Sequence, residues 1–136
     1  MSPGEIVLLI EDNEANSMLA TAVLEREGFH VEVAASAAEA NRLLRAVTPA
    51  VILMDIQLPG EDGLTYTRKL KAGGATSRIP IVALTAHAME GDRERALEAG
   101  CAGYVSKPID TRTFAAQVRE VLDGSHGFVQ EEGAAS

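Results

Sequence analysis

Four short stretches of this chain end in groups that could do chemistry. Ile6-Val7-Leu8-Leu9-Ile10 runs into Glu11-Asp12, Ala50-Val51-Ile52-Leu53-Met54 runs into Asp55, Ile81-Val82-Ala83-Leu84 ends in Thr85, and Gly103-Tyr104-Val105 leads through Ser106 to Lys107. Brought to one place, they would supply three carboxylates, a hydroxyl and an ammonium. Clustered carboxylates repel one another and stay ionised only beside a cation, and an all-oxygen donor set suits Mg2+ or a similar hard ion. Because Mg2+ keeps several waters and takes phosphate oxygens as further ligands, a phosphoryl group is the natural substrate of such a cluster. Lys107 can then act as a point charge on one phosphoryl oxygen and the Thr85 hydroxyl can donate to another. Asp55, ionised at neutral pH, can be the nucleophile that forms an aspartyl phosphate. Each residue alone has a plainer reading: helix capping for Glu11 and Asp12, an ordinary β-branched strand residue for Thr85, a solvated charge for Lys107. Their arrival together at four strand ends favours a site.

That convergence needs a particular scaffold. The run before Asp55 is bounded by Pro49 and by Pro59-Gly60, and a continuous apolar stretch of this length reads as a strand buried on both faces, as in a parallel sheet. Ile6–Ile10 reads the same way. Asn13 caps a helix with Met18, Leu19, Ala22 and Val23 at inward spacing, closed by Gly28. His30 to Ala34 is an edge strand with Val31 and Val33 on one face, and Ser36 caps a helix carrying Ala37, Ala40, Leu44 and Val47 inward. A third helix covers Gly63 to Lys71, and Pro80 introduces the strand ending at Thr85. A fourth spans about Ala88 to Ala99 and is thinly anchored through Met89, Ala96 and Leu97. The last, Asp110 to about Asp123, buries Phe114, Ala115, Val118, Val121 and Leu122. Five strands alternating with five helices predict an α/β, doubly wound, flavodoxin-like parallel sheet in the order 2-1-3-4-5, whose ligands bind beyond the carboxyl ends of the strands.

Composition narrows the function. The 136 residues suit one domain over residues 1–123, with a Gly-, Ser- and Glu-rich flexible tail over 124–136. A net charge of −8 and five scattered aromatics argue against nucleic acid as a partner. No apolar stretch is long enough to cross a bilayer, the N-terminus lacks a signal-peptide pattern, and the lone Cys101 reads as a small buried packing residue, so a cytoplasmic protein is expected.

The motifs Glu11-Asp12-Asn13, Met54-Asp55-Ile56-Gln57-Leu58-Pro59, Leu84-Thr85-Ala86 and Ser106-Lys107-Pro108 resemble those of receiver domains of two-component response regulators, a CheY-like family, from about Glu5 to Asp123. Within it, the wording is most similar to single-domain regulators and to the receivers of hybrid histidine kinases. The resemblance implies that Asp55 accepts a phosphoryl group from a phosphohistidine on a histidine kinase or phosphotransfer protein. It implies Mg2+ on Asp12, Asp55 and the Gln57 backbone carbonyl, with Glu11 reaching the metal through water. Lys107 would bind the phosphoryl group, with a cis bond to Pro108. Thr85 and Tyr104 would form the switch, and Gln57 and His87 would tune dephosphorylation. Such a module catalyses only its own phosphorylation and dephosphorylation. Its output would be a protein target docked on the fourth helix, last strand and last helix.

Three other readings compete. A dehalogenase-type phosphatase also uses an aspartyl phosphate and Mg2+, but it wants a second acid where Gln57 stands. A flavin or nucleotide module needs an anion cradle where Glu11-Asp12-Asn13-Glu14 would repel phosphate. Within the family, the alternative is a receiver excised from a hybrid kinase; the start at Met1 and the non-helical tail favour a free-standing protein.

Overall fold

The computed structural model describes residues 5–85 and 91–123, Asp92 by its backbone only. In chain order the elements are β1 (Ile6–Ile10), α1 (Glu14–Arg26), β2 (His30–Ala34), α2 (Ala37–Ala46), β3 (Val51–Asp55), α3 (Gly63–Ala72), β4 (Ile81–Thr85), α4 (Asp92–Ala99), β5 (Gly103–Ser106) and α5 (Phe114–Leu122). The strands form one sheet in the order β2-β1-β3-β4-β5, every pair parallel. Among the described residues this is the doubly wound arrangement expected.

The alternation of side chains across the pleat divides the core in two. Val7, Leu9, Val51, Leu53, Val82, Leu84 and Val105 face α1 and α5, packing on Ala20, Val23, Leu24, Phe114, Val118 and Val121. Leu8, Ile10, Ile52, Met54, Ile81, Ala83 and Tyr104 face α2, α3 and α4, packing on Ala37, Ala40, Leu64, Tyr66, Leu70, Ala96 and Ala99. Strands covered on both sides have no face for polar residues, which is why β1, β3 and β4 read as unbroken apolar runs. The register makes their ends nearly level: Ile10 is opposite Met54, Asp55 opposite Leu84, and Thr85 opposite Ser106. The polar residues that end the runs therefore share one rim.

Several sequence-based expectations are corrected. In α1 the inward residues are Ser17, Ala20, Val23 and Leu24, while Met18 and Leu19 are 64% and 43% exposed and Ala22 is also exposed. The helix carries two apolar stripes. Small residues at Ser17 and Ala20 let it lie close to the sheet, so the stripe of lesser bulk goes inward. In α4 Ala96 and Ala99 are buried but Leu97 points outward; Met89 lies outside the described residues. On β2 only Val31 of the two valines is covered, because Val33 stands at the edge beyond the reach of the helices. The α5 helix begins at Phe114, after a turn at 111–113, and not at Asp110.

Candidate functional site

The site sits where β1, β3, β4 and β5 end. Glu11 leaves β1 with its N–H still bonded to the Ala34 carbonyl at 2.9 Å, and this keeps its side chain inside the rim, 3% exposed. The next residue, Asp12, is exposed. Asn13 then caps α1 by accepting from the Asn16 N–H at 2.9 Å, while its own N–H donates to Glu11 Oε2 at 3.2 Å. Asp55 closes β3 and is 2% exposed. Its Oδ1 accepts from the Gln57 N–H at 2.9 Å, a tight local turn that fixes the carboxylate plane. Gln57 itself is exposed.

Lys107 ties the two buried acids together. Its ammonium lies 3.2 Å from Glu11 Oε1 and 3.3 Å from Asp55 Oδ2, with only 13% of the side chain exposed. Its N–H donates to the Thr85 carbonyl at 2.6 Å, which extends the β4–β5 pairing by one residue. The Lys107-Pro108 bond is cis. An open cleft of about 560 Å3, lined by Glu11, Asp12, Asn16, Asp55, Gln57 and Lys107 among others, lies over these groups.

A close backbone approach holds the floor of the cleft. Gly63, the first residue of α3, donates its N–H to the Ile56 carbonyl at 3.1 Å; a Cβ there would lie 2.5 Å from both the Asp55 carbonyl oxygen and Ile56 Cα. Only glycine lets α3 start this close to the loop that carries Asp55.

Lys107 offsets only part of the negative charge in the site. Burial, then the hydrogen bond and negative charge of Asp55, push the Glu11 carboxyl above the usual range; the Asn13 N–H and the Lys107 ammonium oppose them. Oxygens from Glu11, Asp12 and Asp55 all lie within 4.8 Å of one another. This all-carboxylate set, two members buried and one open to solvent, fits a hard divalent ion with room for water and phosphate oxygens.

Thr85 and Tyr104 lie on the other side of the pleat from Asp55. Ala83 is the register partner of Tyr104, and Thr85, two residues on, continues the same face. Thr85 is fully buried and Tyr104 is 4% exposed. The structure therefore brings Glu11, Asp12, Asp55, Gln57 and Lys107 into one cleft and sets Thr85 and Tyr104 in line on the α3–α4 side of the sheet. His87 lies outside the described residues, as does the 124–136 tail. Sequence reasoning missed the double pairing of Lys107, which serves as the cluster's own counter-charge, and the contact at Gly63. A Gly one residue after an Asp that can cap a helix was the available signal for the second: Asp62 does accept from the Thr65 N–H at 3.1 Å.

The chain belongs to the response regulator receiver domain family, whose pattern matches residues 7–119. It is 41% identical over 116 residues to the polar-differentiation response regulator DivK of Brucella ovis, covering 85% of this chain and 94% of that protein. Among solved structures it resembles a putative response regulator from Chloroflexus aurantiacus, with TM-score 0.84, 28% identity and 88% and 98% of the two chains covered. It also resembles the receiver domain of the sensor histidine kinase PA1611 from Pseudomonas aeruginosa, solved with a magnesium ion coordinated in its active-site cleft. There the TM-score is 0.75 at 37% identity, over 89% and 96% of the chains. The protein is thus a DivK-like receiver of two-component signalling. No helix among the described residues is long and apolar enough to cross a membrane.

Proposed function

We propose that Asp55 is the residue phosphorylated in this receiver, by a phosphohistidine on a histidine kinase or phosphotransfer protein, in the cytoplasm. The observation that carries the reading is one buried carboxylate held between a backbone N–H and an ammonium beside two further acids. With Oδ1 engaged by Gln57, Oδ2 is the oxygen placed to attack phosphorus as the P–N bond of the donor breaks and the imidazole nitrogen leaves with the electron pair. Lys107, already 3.3 Å from Oδ2, moves its charge to the incoming phosphoryl oxygens. Asp12, Asp55 and the Gln57 carbonyl would hold Mg2+, with Glu11 reaching it through water. When bound, the ion neutralises charge on the phosphoryl oxygens. Aligning the acceptor oxygen and neutralising the transferred group are also the parts needed for self-catalysed phosphorylation from small donors and for hydrolysis, with the Gln57 and His87 side chains setting the lifetime.

The donor has a place to land. The exposed Leu19 of α1 lines a small crevice with Pro108 and Ile109 that shares Glu11, Asn16 and Lys107 with the cleft. The signal leaves through Thr85 and Tyr104 to a target protein on the α4–β5–α5 face. Coverage of 94% of a DivK supports a single-domain regulator of that kind. The likeness to the receiver of a sensor histidine kinase favours, as a second reading, a module attached to a kinase. The test is incubation with acetyl phosphate and Mg2+ followed by intact mass: the wild type should gain one phosphoryl group and Asp55→Asn none. Full labelling of Asp55→Asn would remove the assignment.

A further inference from the structure

Few polar side chains are buried among the described residues: Glu11, Ser17, Asp55, Thr67 and Thr85. Glu11, Asp55 and Thr85 stand at the rim, and Ser17 donates to the Glu14 carbonyl within the first turn of α1 at 3.0 Å. Thr67 is left to explain. It is fully buried on the face of α3 that also buries Leu64 and Leu70, where an apolar residue would pack without the cost of burying a hydroxyl. Its hydroxyl donates to the Gly63 carbonyl at 2.9 Å, an acceptor that an α-helix already engages through the N–H four residues on. Gly63 is the residue packed on the phosphoacceptor loop: its N–H donates to the Ile56 carbonyl at 3.1 Å, and a Cβ on it would fall 2.5 Å from the Asp55 carbonyl oxygen. The Ile56 N–H donates in turn to the Leu84 carbonyl of β4 at 3.1 Å, so the residue between Asp55 and Gln57 is held from both sides, by β4 and by α3. Gln57 then supplies the N–H on Asp55 Oδ1 at 2.9 Å.

We propose that Thr67 is a positioning residue for phosphoryl transfer: its hydroxyl holds the first turn of α3, and through Gly63 and Ile56 it sets how the Asp55 carboxylate and the Gln57 carbonyl face the cleft. The need follows from the glycine. Close approach to the Asp55 loop admits no side chain at position 63, yet glycine has the most backbone freedom of any residue, and here it stands in the first turn, where a helix's own bonds are fewest. A hydroxyl bonded four residues back adds a second hold on that turn's carbonyl and fixes its tilt. Thr67 does not line the cleft, so it acts only through the loop. The inference rests on the phosphoacceptor reading above for the reaction, but the hold on Gly63 belongs to the unphosphorylated fold.

Three variants separate the hydroxyl from its surroundings. Thr67→Val removes it at nearly constant volume, Thr67→Ser keeps it and loses the methyl, and Cys101→Ala removes the buried thiol hydrogen-bonded with Thr67 while leaving the hydroxyl on Gly63. With no phosphodonor present, exchange of the Gly63 amide should be about fivefold faster in Thr67→Val and within about twofold of wild type in the other two. With acetyl phosphate and saturating Mg2+, the maximal phosphorylation rate, followed by intact mass, should fall about fivefold or more in Thr67→Val and stay within about twofold in Thr67→Ser and Cys101→Ala, whatever their melting temperatures. A threonine that served stability alone would make the loss of rate follow the loss of Tm across all three. That pattern would overturn the inference, as would a wild-type rate in Thr67→Val with or without faster Gly63 exchange; should Thr67→Val not fold, Thr67→Ala carries the same comparison. Absence of phosphoryl gain in the wild type would instead strike the phosphoacceptor reading and the positioning role with it, while Gly63 exchange, read without a donor, decides the hold on Gly63 separately.

Discussion

Replacing Lys107 by Met tests whether the ammonium is the counter-charge that lets two buried acids coexist. Each of its contacts, at 3.2 and 3.3 Å, corresponds to about 5 kcal/mol of Coulomb attraction at an effective dielectric near 20, much of it offset by the cost of desolvating the ammonium. Removing one partner of such an arrangement typically costs about 3–5 kcal/mol. Because one carboxyl can escape by keeping its proton, the lower figure is expected: about 3 kcal/mol at pH 7 without metal, or a Tm lower by about 10 °C. The pH dependence follows from the same escape. In the variant the folded carboxyl value is raised further above the unfolded one, so the folded state binds the extra proton. Stability is then greatest below the unfolded value of about 4.5 and falls as pH climbs toward the folded value. The gap between variant and wild type should accordingly widen from about pH 5 to pH 7. Thermal and urea melts at several pH values, with and without Mg2+, are the assay, and Mg2+ should raise the Tm of the variant more than that of the wild type. A variant within about 0.5 kcal/mol of wild type, or a gap flat across this range, would mean that the ammonium is not the counter-charge of the two acids.

Two further substitutions probe the scaffold. Gly63→Ala places a methyl group 2.5 Å from the Asp55 carbonyl and should cost about 2–3 kcal/mol while lowering phosphorylation yield, since the Asp55 loop must shift; calorimetry and mass spectrometry read the two effects. Burial pushes the Cys101 thiol up to about 11 from 9.0. Its folded value being raised, its contribution is fully present below pH 9 and is lost as pH rises toward 11. By pH 10 the wild type should have lost about 1.4 kcal/mol relative to its stability at pH 8, a decline that Cys101→Ala should lack in paired melts.

What the chain disclosed in advance followed from how its residues are used. The strands β1, β3 and β4 were legible because burial on both faces forbids polar residues until the last position, so the change from apolar to charged marks both the strand end and the site. Asp55, Asp12, Glu11 and Thr85 could be placed on one rim for that reason alone. The phase of α1 was not legible: Met18 and Leu19 make as good an apolar stripe as Val23 and Leu24, and only contact with the sheet distinguishes a core face from a surface. For Leu97 the confusion is the same. The balance of charge was hidden too, since the pairing of Lys107 with Glu11 joins residues 96 positions apart and depends on where a flexible side chain comes to rest. Tyr104 was placed on its strand, but its alignment with Thr85 on the face opposite Asp55 emerges only from the register of β4 and β5.

Phosphoryl transfer to the carboxylate of Asp55 has a direct chemical readout. Borohydride reduction traps an aspartyl phosphate as homoserine, so protein treated with acetyl phosphate and Mg2+, reduced and digested, should show that conversion at position 55 alone. Conversion at Asp12 or elsewhere, or none in folded protein with the metal present, would contradict the account.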